Sequence, residues 1–149
     1  MQSNPLLTPG ITDSGRDPAQ HRLWLAVVHN VAREMGGQVL GETTQPDAGR
    51  NYYSVRVRTR DGTLTLLLHA EGRLVAATDD VGSSNPVGRF RDVPRPDLFG
   101  LAGLHPLAAV ELERPLTNDQ TAALHPSEQR DVAYHNPPRV GDVIFNRFD

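Results

Sequence analysis

The chain contains no cysteine and no lysine. Without cysteine there is no disulfide, no thiolate nucleophile and no thiolate zinc site. Without lysine, all 15 fixed positive charges are arginine, which rules out Schiff-base chemistry and a phosphate-loop lysine. All-arginine usage fits the coding bias of a GC-rich bacterial genome. Aromatic residues make up only 5% of the chain. No run approaches the roughly 18 apolar residues of a membrane span. The first fifteen residues have neither the basic nor the apolar region of a secretory signal. A cytoplasmic protein without membrane contact is expected.

What is present points to one domain. The 149 residues are enough to bury a core, while 12 prolines and 13 glycines imply much loop. Residues 1–16 read as a flexible N-terminal arm and 17–149 as a single α+β domain. A net charge of −3 argues against binding nucleic acid through general basicity.

The clearest signal is the stretch from Tyr52 to Ala70, two alternating runs joined by Asp61-Gly62. Such a pair predicts a β-hairpin. A two-residue Asp61-Gly62 loop would set Arg60 opposite Thr63 and Val57 opposite Leu66. In that register Tyr53, Val55, Val57, Thr59, Leu64, Leu66 and Leu68 share a dry face. The other face carries Tyr52, Ser54, Arg56, Arg58, Arg60, Thr63, Thr65 and His69. A strand at 38–43 and another at 73–78 extend the pair into an antiparallel meander.

Asp17-Pro18 starts a helix, with Asp17 as cap and proline where its missing N–H is harmless. Trp24, Val28, Val31 and Met35 recur at helical spacing, and Gly36-Gly37 stops the run. This helix, 18–35, is expected to lie across the dry face. Residues 108–113 read as a strand. Thr117 and Gln120 form a capping box, Pro126 opens a further helix, and Val143-Ile144-Phe145 predicts a terminal strand. The fold class is therefore α+β: one antiparallel sheet of about four to six strands, an N-terminal helix on one face, and short C-terminal helices.

Three groups of residues carry possible function. Arg56, Arg58 and Arg60 would stand in a row at intervals of roughly 7 Å, twice the rise per strand residue, with Tyr52 beside them. Such a row suits carboxylates of an acidic protein partner, or phosphates of single-stranded nucleic acid with Tyr52 stacking on a base. It also suits a solvated sheet face. Glu128, Asp131 and His135 share one helical face and form a weak candidate metal site, although the pattern is not His-Glu-x-x-His. The long segment 79–107, with Phe90, Leu98, Phe99, Leu101 and Leu104, is either a satellite of the core or a groove or homodimer patch. A small enzyme or ligand binder would place its pocket between sheet and this loop, using His69, His105 or Glu128, Asp131 and His135. Val81-Gly-Ser83-Ser84 departs from the Gly-x-Ser-x-Gly nucleophile motif, and no motif calls for a cofactor. The expected function is a non-catalytic protein-binding module, of adaptor, immunity-like or chaperone-like type, acting through the arginine face.

Overall fold

A computed structural model describes residues 4–13, 15–47, 49–71, 73–80 and 88–148. Most of the loop expected after the fourth strand, residues 81–87 with Ser83 and Ser84, lies outside the described residues. Helix α1 spans Pro18–Glu34, followed by strands β1 (Gln38–Thr44), β2 (Tyr52–Thr59), β3 (Gly62–His69), β4 (Leu74–Asp79) and β5 (Phe90–Arg91). Then come α2 (Pro96–Leu101), β6 (His105–Pro106), α3 (Ala109–Leu112), a 3-10 turn at Asn118–Thr121, α4 (Pro126–His135) and α5 (Val140–Ile144). The sheet runs β1-β2-β3-β4-β5, antiparallel throughout, and β6 joins β4 in parallel. This is the expected α+β meander.

Helix α1 forms where its signals stand. Asp17 accepts a bond from the Gln20 N–H at 3.1 Å, and Gly36 takes a left-handed φ of 71° at the exit. Trp24, Val28, Val31 and Ala32 turn inward against Tyr53, Val55, Val57, Leu66 and Leu68. Burying each of the larger side chains contributes roughly 1.5–3 kcal/mol. Gly37 then lets the chain pass directly over β2: a Cβ at this position would collide with the Arg58 carbonyl oxygen.

The hairpin register differs from expectation by two residues. Thr59 pairs with Gly62 and Val57 with Leu64, so Arg60 and Asp61 form the loop. The cause is local. Thr59 Oγ1 accepts from the Asp61 N–H at 3.2 Å and donates to the Gly62 carbonyl at 3.0 Å, closing the turn one residue early. An even shift leaves every side chain on its expected face.

The second face is not simply solvated. Tyr52, Leu67, Ala76 and Phe90 form a second core with Leu112, Leu124, Val132, Val140, Ile144 and Phe145. The segment expected to be a loose arm contributes to this core, with Leu7 and Ile11 fully or nearly buried. It is tied to α4, where the Glu128 carboxylate accepts from Gly10 N, Thr12 N and Thr12 Oγ1 at 2.8, 2.9 and 2.6 Å. Residues 4–13 thus belong to the domain placed at 17–149, because apolar side chains at 7 and 11 fill the gap between α4 and the sheet.

Two expected strands are helices. Residues 109–112 form α3, whose first N–H donates to Asp92 at 2.8 Å. The terminal strand is replaced by α5, where Asp142 accepts from the Arg139 N–H at 3.1 Å and so caps the turn. Of the apolar residues between 79 and 107, Phe90, Phe99 and Leu104 close the two cores, and Leu101 is left 84% exposed.

Candidate interaction face

The arm and the C-terminal helices cover the second sheet face unevenly. Near the start of β2 and the end of β3, Tyr52 and His69 lie beneath the arm and α5. Toward the other end of the hairpin, Arg56 and Arg58 are exposed, with Ser54, Thr63 and Thr65 half-buried between strands. The uncovered half of the face therefore centres on the two arginines. Next to it, β1 is the edge of the sheet. Its side chains are neutral except for Glu42, and Gly41 breaks its ladder with a φ of 72°.

The expected row of three cations is reduced to two. Arg60 stands in the turn, and its guanidinium packs on Gly36, where a Cβ would come within 2.7 Å of Nε. Its N–H donates to the Met35 carbonyl at 3.1 Å, so it belongs to the α1–β1 junction. Arg56 makes a paired contact with Asp80, Nε to Oδ1 at 3.0 Å and Nη2 to Oδ2 at 2.8 Å. Arg58 makes no ion pair among the described residues. One cation of the face is thus matched internally and the other is open.

Tyr52 does not serve as a stacking surface beside the arginines. It shares their face, but is 2% exposed, with Phe145 edge-on to its ring at 6.1 Å. Burial pushes its hydroxyl pKa up, opposed by the charges of Arg50 and Arg147. A track of three cations with a base platform is therefore not assembled.

The weak metal candidate is also not assembled. Glu128 is 2% exposed, and besides the three bonds from the arm it accepts from the His125 N–H at 3.1 Å. Burial pushes its carboxyl up, but these bonds outweigh it and hold the carboxyl below its ordinary value. Asp131 and His135 are exposed, and the His135 ring lies flat on Phe148 at 4.7 Å. Among the described residues no three His, Asp or Glu side chains gather to hold a metal ion.

His69, His105 and His135 do not converge on one cavity, whereas His21 and His29 of α1 line a cleft of about 390 Å³ together with Glu42 of β1. His69 is buried and locked by backbone: Nε2 donates to the Ile11 carbonyl at 2.7 Å and Nδ1 accepts from the Glu71 N–H at 3.2 Å. Only the neutral ring with its proton on Nε2 satisfies both bonds. His105 is exposed on β6. A cleft of about 730 Å³ does lie between β5 and α3, bordered by Arg89, Asp92, Val110, Glu113 and Arg114, with no histidine on its walls.

Beneath that cleft is a cluster that the sequence reading missed. Arg139 reaches Glu113 at 2.6 Å and Asp142 at 2.7 and 2.9 Å, with its guanidinium 4.7 Å from the centre of the Phe90 ring. The i, i+3 spacing of Arg139 and Asp142 was the available signal. Glu113, 26 positions away in sequence, gave none.

Comparison with known families, with curated proteins and with solved structures finds no match to this chain.

Proposed function

We propose that the chain is a non-catalytic binding module that receives an acidic surface of another protein on the open half of its sheet. The observation carrying this reading is the placement of Arg58. It is exposed, without a counter-charge among the described residues, on a rigid strand flanked by threonines and serine. Arginine at such a position offers a planar fork to a partner carboxylate at little cost in ordering the backbone. Arg56 is held in place by Asp80 and extends the cationic edge. The bare margin of β1 adds backbone groups that a partner strand can pair with.

The test is affinity capture with wild-type protein, Arg58→Glu, and the double variant Arg56→Glu with Arg58→Glu. Wild type and Arg58→Glu should melt alike, since Arg58 is solvent-facing, while the double variant should melt somewhat lower because Glu at 56 faces Asp80 in place of its ion pair. A partner held by wild type should be lost with Arg58→Glu. Light scattering on the same samples identifies the case in which that partner is a second copy. An identical set of captured proteins from all three removes the arginine face from consideration.

A further inference from the structure

We propose that a second site, beside the C-terminal segment, binds an aromatic ring that carries a carboxylate. The site is a cavity of about 190 Å³ open to solvent. An apolar cavity of roughly 150 Å³ accepts a benzene ring, so one six-membered ring fits. Tyr52, Phe145, Phe148 and His135 supply its walls. Tyr52 and Phe145 meet edge to face at 75°, while His135 and Phe148 are parallel to within 5°. Tyr52 and Phe145, 2% and 1% exposed, form the closed floor, so a guest ring packs against the half-exposed Phe148 and the exposed His135.

The walls are set by backbone as well as by packing. Arg50 and Arg147 form a β-bridge that draws the chain end to the start of β2. The Asn146 N–H donates to Asn51 Oδ1 at 2.8 Å, and the Phe148 N–H donates to Asn146 Oδ1 at 3.1 Å. Phe148 is consequently positioned while remaining half-exposed, leaving the cavity accessible.

Charge decides the class of guest. An aromatic box by itself favours a cation. Here, however, Arg147 lies at the mouth and the Arg50 guanidinium sits 5.6 Å from the centre of the Tyr52 ring. Neither pairs with a carboxylate among the described residues. The acid on the wall, Asp142, is already engaged by Arg139 through two bonds. Among the described residues the uncompensated charge is positive, so the mouth attracts an anion and repels an amine. A ring in the cavity with a carboxylate one or two bonds outside meets both requirements. A free aromatic acid and the C-terminal phenylalanine of a peptide share this chemistry. The site draws on neither Arg56 nor Arg58.

The experiment is an NMR titration of the full chain, following the ring resonances of Tyr52 and Phe148. The probes are phenylacetate, phenethylamine, and an acetylated tripeptide ending in phenylalanine, as free acid and as amide. Phenylacetate or the free-acid peptide should give a saturable shift with a dissociation constant on the order of 1 mM. The tighter of the two identifies the source, and the amine and the amide should give no saturable shift. Arg147→Glu, at an exposed position, should weaken binding roughly tenfold. Phe148→Ala should abolish it, with unchanged resonances away from the cavity. Arg58→Glu should leave it untouched, which separates this site from the arginine face. Absence of a saturable shift with both carboxylates overturns the assignment, as does equal binding of the amine or undiminished binding to Arg147→Glu.

Discussion

Replacing Glu128 with glutamine exchanges one oxygen for an N–H₂ group at the point where residues 4–13 are tied down. Oε1 accepts from Gly10 N and His125 N, and Oε2 from Thr12 N and Thr12 Oγ1. Both sides of the carboxylate face a backbone N–H. Whichever way the amide turns, a donor meets a donor. The better choice sets the N–H₂ against Thr12, whose hydroxyl can turn to accept, leaving the Thr12 N–H orphaned. One buried unpaired donor costs about 1–3 kcal/mol. Glu128→Ala orphans every donor at once and should cost roughly 3–5 kcal/mol. Urea unfolding measures the loss, and hydrogen exchange at the Gly10 and Thr12 amides shows whether the arm has come away. The pH dependence has a definite sign. A carboxyl whose folded pKa is lowered contributes stability that is present above its unfolded value and lost as pH falls through the folded one. The gap between wild type and Glu128→Gln should therefore be widest above pH 4.5, the ordinary value, and should narrow below it. A Glu128→Gln protein within about 0.5 kcal/mol of wild type, with the Gly10 and Thr12 amides still protected, would refute the view that this carboxylate holds the arm.

Two further outcomes follow from buried geometry. Burial pushes the His69 pKa below its ordinary 6.5, opposed by the Ile11 carbonyl and Glu71, so the unfolded chain takes up the proton first. Its contribution is whole above pH 6.5 and declines as pH falls toward the folded value. Urea midpoints of His69→Gln should fall less steeply below pH 6.5 than those of wild type, with a residual slope from His21, also lowered by burial; equal slopes would exclude His69 as the source. Gly37→Ala should destabilise by about 3 kcal/mol or more, seen as a lowered melting temperature, because the new methyl group meets the Arg58 carbonyl oxygen. Unchanged melting would show that α1 and β2 can separate freely.

Elements with a short-range signature were legible in the sequence. Asp17-Pro18, the spacing from Trp24 to Val31, and the alternation of Tyr53, Val55 and Val57 each fix a local conformation and a buried face. The division of the hairpin into two faces was readable, although its register was not. That register depended on the Thr59 hydroxyl, which competed successfully with Asp61-Gly62 for the loop. The second core had a visible sign. Leu66-Leu67-Leu68 and Val75-Ala76-Ala77 are apolar on consecutive residues, the mark of a strand buried on both faces. Helices α3 and α5 were misread because β-forming side chains were weighed without their caps. Asp92 caps α3 from 17 positions away. The pairing of Arg56 with Asp80, and the retreat of Arg60 to Gly36, depend on distances between elements that no spacing along the chain reveals.

The bond from Gly10 to Glu128 crosses 118 positions of sequence. A ribosome adding roughly 5–20 residues per second exposes the first of these residues on the order of 10 s before the second exists. Leu7 and Ile11 must wait in water through that interval, made well before the helix that covers them. Until then the growing chain presents an oily segment and an unfilled seam, so nascent molecules are more vulnerable to sticking and clipping than finished ones.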